Sequence, residues 1–345
     1  MVEAPSLTRT KSRFESLPVE IIQEIFLRCL EINLPRASID IARALSNPAI
    51  YTWLIRVAFS STDKEYEKPF RSLAFLPSQI DTESLGIAQR RHLRSLILRC
   101  RWCTLPLMRQ CQKEFIGYVL RSAAQQFVFS CEDIDLLRNI ESRFGDLLTR
   151  YDRAQDGGHR GKGDIIIRPR LRQPPSPRYR ISVWLNLGAV QICENKAVDP
   201  KGGYLELPFC EGSEIPDKLL SAPWTEAKLE FLELLSTKAI IDIDSSYSRA
   251  TRALRQVIRD RDFATFERLL GLRVRVRFYR FTIPWPVLRV HFQAALKHAD
   301  ESDDPFIRLL VEKRWDRIPE NDWKLKDKLL MKVGMNLGRA SYRPC

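Results

Sequence analysis

Apolar side chains recur at helical spacing along most of this chain. Between Leu17 and Leu30, the residues Ile22, Ile25, Phe26 and Cys29 stand at i, i+3, i+4 and i+7, and Ile21 and Leu30 widen the stripe. Gln23, Glu24 and Arg28 make a polar edge. Pro18 suits the first helical position, where a missing N–H costs nothing, and Glu20 falls in the turn where the helix dipole favours a negative charge. Asn33-Leu34-Pro35 breaks this helix. A second helix is expected over 37–46 with Ile41, Ala44 and Leu45 inward. Asn47 as N-cap and Pro48 as first residue open a third, which carries Ile50, Trp53, Leu54 and Val57. Three helices this short cannot bury so much aliphatic surface by themselves. An apolar face is therefore expected to be left over for a neighbouring segment or a partner.

Helical spacing returns over 83–150 in three stretches. The first holds Leu85, Ile87, Leu93, Leu96, Ile97 and Cys100, and the second Leu107, Met108, Cys111, Phe115, Tyr118 and Val119. The third holds Ile134, Leu137, Ile140, Phe144, Leu147 and Leu148, with Ser130 as its cap and Glu132 and Asp133 in its first turn. The pattern then changes. Glycine, proline and arginine dominate 152–180, which reads as a basic loop with one short strand at Asp164-Ile165-Ile166-Ile167. Alternation at Val183, Leu185 and Leu187, then Val190 and Ile192, with a turn near Gly188, predicts a hairpin, and Tyr204–Phe209 predicts one more strand.

From Thr225 the chain reads as helical again, with Leu229, Leu232 and Leu235 in its first helix. Two later segments resemble each other, 249–270 and 291–313. Each has an Ala-Leu helix, an acidic turn and a helix ending in Leu-Leu, and Trp323 starts a further helix. Tandem helix pairs are the unit of an ankyrin-like stack, although the Thr-Pro-Leu-His signature of that repeat is missing and a plain helical bundle gives the same pattern. The basic stretch Arg168–Arg180 and the run 272–281 carry arginines that suit phosphate contact, and in 272–281 the alternation of Arg with Val and Phe fits an edge strand with a wet face equally well. The expected fold class is mainly α. It has a flexible lead (1–13), an N-terminal three-helix module (14–60), a helical middle region (61–151), a basic loop with a small β insertion (152–209) and C-terminal antiparallel helix pairs (210–345).

Composition narrows the function class. Lys and Arg outnumber Asp and Glu by 56 to 43, a net charge of +13, which favours solubility and acidic surfaces without naming a partner. The first residues lack the apolar core of a signal peptide, and no apolar run is long enough to span a bilayer, so a cytoplasmic or nuclear location without membrane contact is expected. The eight cysteines then read as reduced thiols. His92, Cys100, Cys103 and Cys111 make the best metal constellation, but only one Cys-x-x-Cys pair is present, and these positions fall among core leucines. Packing is the simpler account, and neither a metal nor a cofactor is expected. The four histidines flank no nucleophile elbow, and Gly157–Gly163 lacks the Lys-Ser/Thr ending of a phosphate loop, so an enzyme is not expected. No nucleic-acid module is visible, and a basic structural or nucleic-acid-associated helical protein is kept as the alternative reading.

The residues Leu17-Pro18-x-Glu20-Ile21-Ile22-x-x-Ile25-Phe26 resemble the opening of an F-box, and 33–38 resembles its middle section. The likeness is nearest to fungal F-box-like proteins, which also tend to carry a Cys-Arg-Trp-Cys stretch like that at 100–103. It is close over 14–60 and looser beyond. Trp53 stands further from Leu34 than in the family pattern, so this chain carries an insertion there. The resemblance implies a substrate-recognition adaptor of a cullin–RING ubiquitin ligase. Such a subunit binds the Skp adaptor and, through it, the cullin scaffold, and presents a client of unknown identity. Carried over, Leu17, Pro18, Ile21, Ile22, Ile25 and Phe26, with Leu34 and Trp53, would face the Skp adaptor or shape the surface that does. An adaptor of this kind keeps Ile22 or Phe26 accessible or paired with a partner, whereas a purely structural helix buries them within the chain.

Overall fold

The structure, a computed structural model, describes residues 12–60, 75, 85–149, 164–172, 178–194, 204–299 and 303–334, with backbone only for 141–149. The expected flexible lead lies almost wholly outside the described residues, as do the connection 61–84 apart from Phe75 and the glycine-rich loop around Gly157–Gly163. The described residues are mainly helical, with twelve α-helices and nine short strands. They form two compact units, one reaching to Phe209 and one starting at Cys210.

The first unit opens with α1 (Val19–Cys29), a 3-10 turn (Leu34–Arg36), α2 (Ile39–Leu45) and α3 (Pro48–Phe59). The caps account for the boundaries. Pro18 stands at the N-cap of α1, one position earlier than expected, and Leu30 ends the helix in the left-handed region (φ 51°). Ser38 Oγ accepts from Ile41 N, and Asn47 Oδ1 accepts from Ala49 N with Pro48 as first residue, as the sequence predicts for α3. α4 (Ile87–Arg99) and α5 (Leu105–Gln126) follow, then β1 (Phe127–Val128) and α6 (Cys131–Thr149), at whose start Ser130 Oγ accepts from Asp133 N.

α3 is the centre of this unit. Ile50, Leu54, Ile55, Val57, Ala58 and Phe59 are each at most 1% exposed. Its contacts are with α4 and α5 as well as its own neighbours. Arg56 pairs with Glu114 at 2.6 Å, Arg94 Nε donates to Ala58 O at 2.5 Å, and Tyr51 stacks on Trp102 with centroids 4.5 Å apart. The apolar face that three short helices leave over is thus covered by the chain's own α4 and α5.

The β insertion is an antiparallel sheet in the order β2 (Ile165–Ile167), β4 (Tyr179–Trp184), β5 (Ala189–Glu194), β6 (Tyr204–Glu206), while β3 (Arg170–Leu171) pairs with β1. Trp184 opposes Ala189 across a four-residue turn, so the expected hairpin is present, but Leu185 and Leu187, expected on its first strand, lie in the turn. Strand β4 buries Ile181, Ser182, Val183 and Trp184 in succession, so both faces are covered and the alternation is blurred. At the turn, Gly188 has φ +61°, its carbonyl accepts from Leu207 N, and Arg109 of α5 donates to Asn186 O at 2.6 Å.

The second unit contains α7 (Glu226–Ser236), β7 (Ile240–Asp242), α8 (Ser248–Arg259), α9 (Phe263–Gly271), β8 (Arg273–Val276), β9 (Ile283–Pro284), α10 (Arg289–His298), α11 (Pro305–Arg314) and α12 (Trp323–Lys332). Two expectations are corrected. Residues Ile240–Asp242, within a stretch expected to be mostly helical, form a strand. And β8 is no edge: it lies between parallel β7 and antiparallel β9, with Val274 and Val276 buried and Arg273 and Arg275 outward. α8 packs on α9 and α10, and α11 packs on α9 and α10. α9 and α11 start in the same way. A non-glycine residue in the left-handed region, Arg261 (φ 56°) or Asp303 (φ 70°), precedes an aspartate that caps the next helix, Asp262 or Asp304. The two turns are also linked, because Arg261 reaches Asp304 at 2.5 Å and lies over the Phe306 ring.

His291 is fully buried in the first turn of α10. Its Nδ1 accepts from Leu288 N at 2.8 Å, so the proton sits on Nε2, which faces Thr251 O at 3.3 Å. Burial pushes the imidazole down to about 4, against the two backbone hydrogen bonds that raise it. The unfolded chain titrates near 6.5, so it binds the proton first. Stability is then full above pH 6.5 and falls by about 3 kcal/mol as pH drops toward 4. Urea titrations of wild type and His291→Gln across that window should differ in slope, the variant being the flatter. Equal slopes would remove His291 as the source.

Candidate docking surface

On α1 the expected site residues divide between two faces. Ile22 and Phe26 are 2% and 3% exposed, and with Leu27 they hold α1 to the core. Both are thus buried within the chain, the outcome expected of a structural helix, and neither is accessible as an adaptor face would have it. Gln23, expected on the polar edge, instead donates through Nε2 to Ala44 O at 2.8 Å and pins α1 to α2.

The opposite side of the helix is open. Pro18, Ile21, Ile25 and Cys29 follow one another at spacings of three and four and make one stripe. Ile21 is 41% exposed and Val19 48%, while Leu17 and Ile25 are half-buried. The ion pair of Arg28 with Glu24, at 2.7 Å, runs beside the stripe. An apolar strip bordered by paired charge is the composition of a docking face, with a dry centre and a polar rim. Leu34, in the 3-10 turn, and Trp53, with Thr52 and Arg56 on the less buried side of α3, are both half-buried and stand apart from the α1 stripe.

Behind α1 the fold leaves a recess of about 90 Å³ lined mainly by apolar groups, among them Phe26, Ile32, Leu45, Tyr51, Leu54 and Trp102. Sequence reasoning passed over Tyr51 and over Val19. The wall that Trp102 supplies was visible only as the middle of a Cys-x-x-Cys spacing.

Of the cysteine constellation, Cys103 lies near Cys111 and no third member joins them among the described residues. Cys103 and Cys111 are buried, His92 is exposed on α4, and no group of three or more metal-ligating side chains converges among the described residues. Burial, followed by Glu114, pushes the Cys111 thiol up to about 12. Alkylation of the native protein should therefore label exposed Cys29 and Cys131 first. Cys103, Cys111, Cys193 and Cys210 should react only on unfolding, and peptide mapping of the labelled chain reads the order directly. Rapid native labelling of Cys111 would contradict the packing.

No helix among the described residues is long and apolar enough to cross a membrane. No family model, no curated protein and no solved structure matches the chain.

Proposed function

We propose that the chain is a non-enzymatic protein–protein adaptor of the F-box-like kind, which docks the Skp adaptor of a cullin–RING ubiquitin ligase through α1 and holds a client on its second unit. The observation that carries this reading is an apolar stripe of exposed Pro18 and Ile21 with half-buried Ile25, flanked by half-buried Leu17. These are four of the residues that the F-box resemblance assigns to the interface, two of them on α1 and two at its start. Such a subunit needs no catalytic group. It works by raising the effective concentration of client lysines near the charged enzyme. The recurring turn at Asp262 and Asp304 supports an ankyrin-like stack as the client-bearing part.

Purified Skp adaptor should co-purify with the full chain, and the pair Leu17→Ala with Pro18→Ala should release it. Wild-type chain that fails to retain the adaptor would sink the proposal. A second reading, α1 as a purely structural helix, is favoured by the burial of Ile22 and Phe26. It expects no partner to be lost when Ile21 is changed.

A further inference from the structure

The turn between β8 and β9 groups three exposed aromatic side chains, two of them the most exposed phenylalanines of the described residues. Phe278 is 72% exposed, Phe281 74% and Tyr279 48%. They are interleaved with Arg277 and Arg280, both exposed and without an ion pair among the described residues. Arg280 lies over the Phe281 ring at 5.6 Å, and Tyr279 Oη meets Tyr247 Oη at 3.3 Å, which ties the turn to the start of α8. The arginines of β8 itself are engaged: Arg273 donates to Thr282, and Arg275 pairs with Glu211 at 2.9 Å. The tip thus sets two exposed arginines without an ion pair among the described residues beside two largely exposed phenylalanine rings.

Three exposed aromatic rings grouped on one turn are a cost in water unless something covers them. Size and charge select the occupant. Each ring buries at most about 150–250 Å², so the tip offers roughly 500–700 Å², below the ~800 Å² per partner of a stable globular interface. A second copy of the chain placed on the same patch would set arginine against arginine. Tight nucleic-acid binding uses about 6–10 phosphate contacts, and the tip has two cations to give. Two phenylalanines and two arginines on a lipid surface would hold no better than one acyl chain, which binds only marginally. A short acidic peptide fits on each count. Its carboxylates pair with Arg277 and Arg280, its apolar side chains lie on the rings, and Arg with Tyr is the composition of a binding hot spot.

We infer that the β8–β9 tip, Arg277 to Phe281, is a docking site for a short acidic, partly apolar polypeptide segment. It names the class of client for the adaptor reading and rests on that reading only for the client's role.

The test uses the full chain without Skp adaptor, so that its outcome is independent of docking at α1. A fluorescent peptide of aspartate, glutamate and leucine is titrated, with a lysine-for-acid peptide, an oligouridine and phosphatidylserine vesicles as competing probes. The acidic peptide should bind, and Arg277→Glu with Arg280→Glu should weaken it at least tenfold. Phe278→Ser with Phe281→Ser should weaken it comparably. All four positions are exposed, so the melting temperature should stay unchanged and a folding defect is separately visible. Peptide binding that both double variants leave intact would overturn the inference, as would a preference for the oligonucleotide or the vesicles, or no binding of the acidic peptide.

Discussion

Asp304→Ala is expected to lower the stability of the second unit by about 3–5 kcal/mol. The Asp304 side chain is 1% exposed and has three partners. Its Oδ1 accepts from Phe306 N at 3.0 Å and Ile307 N at 3.2 Å, closing the first turn of α11, and its Oδ2 accepts from Arg261 at 2.5 Å. Removing the carboxylate opens two buried N–H groups at a helix start, worth about 1 kcal/mol as a cap. It also strips the counter-charge from a partly buried guanidinium, and that is the larger loss. Asp304→Asn keeps the cap and loses the charge, so it should fall between Ala and wild type. Arg261→Met removes the charge from the other side and should cost less than Asp304→Ala, because it leaves both N–H bonds in place. Urea denaturation followed by far-ultraviolet circular dichroism checks the order. If Asp304→Ala melts like wild type, the linked turns are not what holds α9 to α11.

Gly188→Ala is expected to be the most damaging single-methyl change in the first unit, at roughly 3 kcal/mol from strain and overpacking together. At φ +61° an alanine is already disfavoured. A Cβ there would also collide with the Leu207 carbonyl oxygen and the Gln112 side-chain amide, and the first is backbone that cannot rotate away. The same Gly188 carbonyl receives Leu207 N, so the hairpin turn, the end of β6 and α5 all shift together. Gly271 is a ready comparison, since no atom lies within 4 Å of a Cβ there. Gly271→Ala should be neutral or slightly stabilising. A Gly188→Ala protein that melts with wild type would mean the turn is looser than drawn.

Much of the fold was legible in the sequence because its signals are local. Asn47-Pro48 and Asp304-Pro305 mark helix starts through caps that act within one turn, and Val183 and Val190 mark a hairpin through period two. What was not legible depends on distant partners. The pattern around Ile22 and Phe26 gives an apolar stripe but cannot say which segment covers it. α1 packs on α2, and Phe26 shares a recess with Leu45, Leu54 and Trp102, while α3 is covered in turn by α4 and α5 through pairs such as Arg56–Glu114, far apart in the chain. Strand β7 was missed because Ile240-Ile241 is too short to show a period and takes its identity from pairing with β8. The α1 stripe was half legible. The right residue types were named, but Ile22 and Phe26 were grouped with Pro18, Ile21 and Ile25, and only the burial separates the two faces.

The adaptor proposal stands or falls on that outer face. Titration calorimetry of the full chain against purified Skp adaptor measures it, with Ile21→Asp as the second sample. Ile21 is exposed, so this change leaves the core intact and the melting temperature unmoved. A charge placed in the dry centre of an interface should weaken binding by at least 2 kcal/mol, roughly thirtyfold. The account predicts saturable one-to-one binding by wild type and its loss in a folded Ile21→Asp protein. No heat of binding from wild type, or equal binding by both, would contradict it.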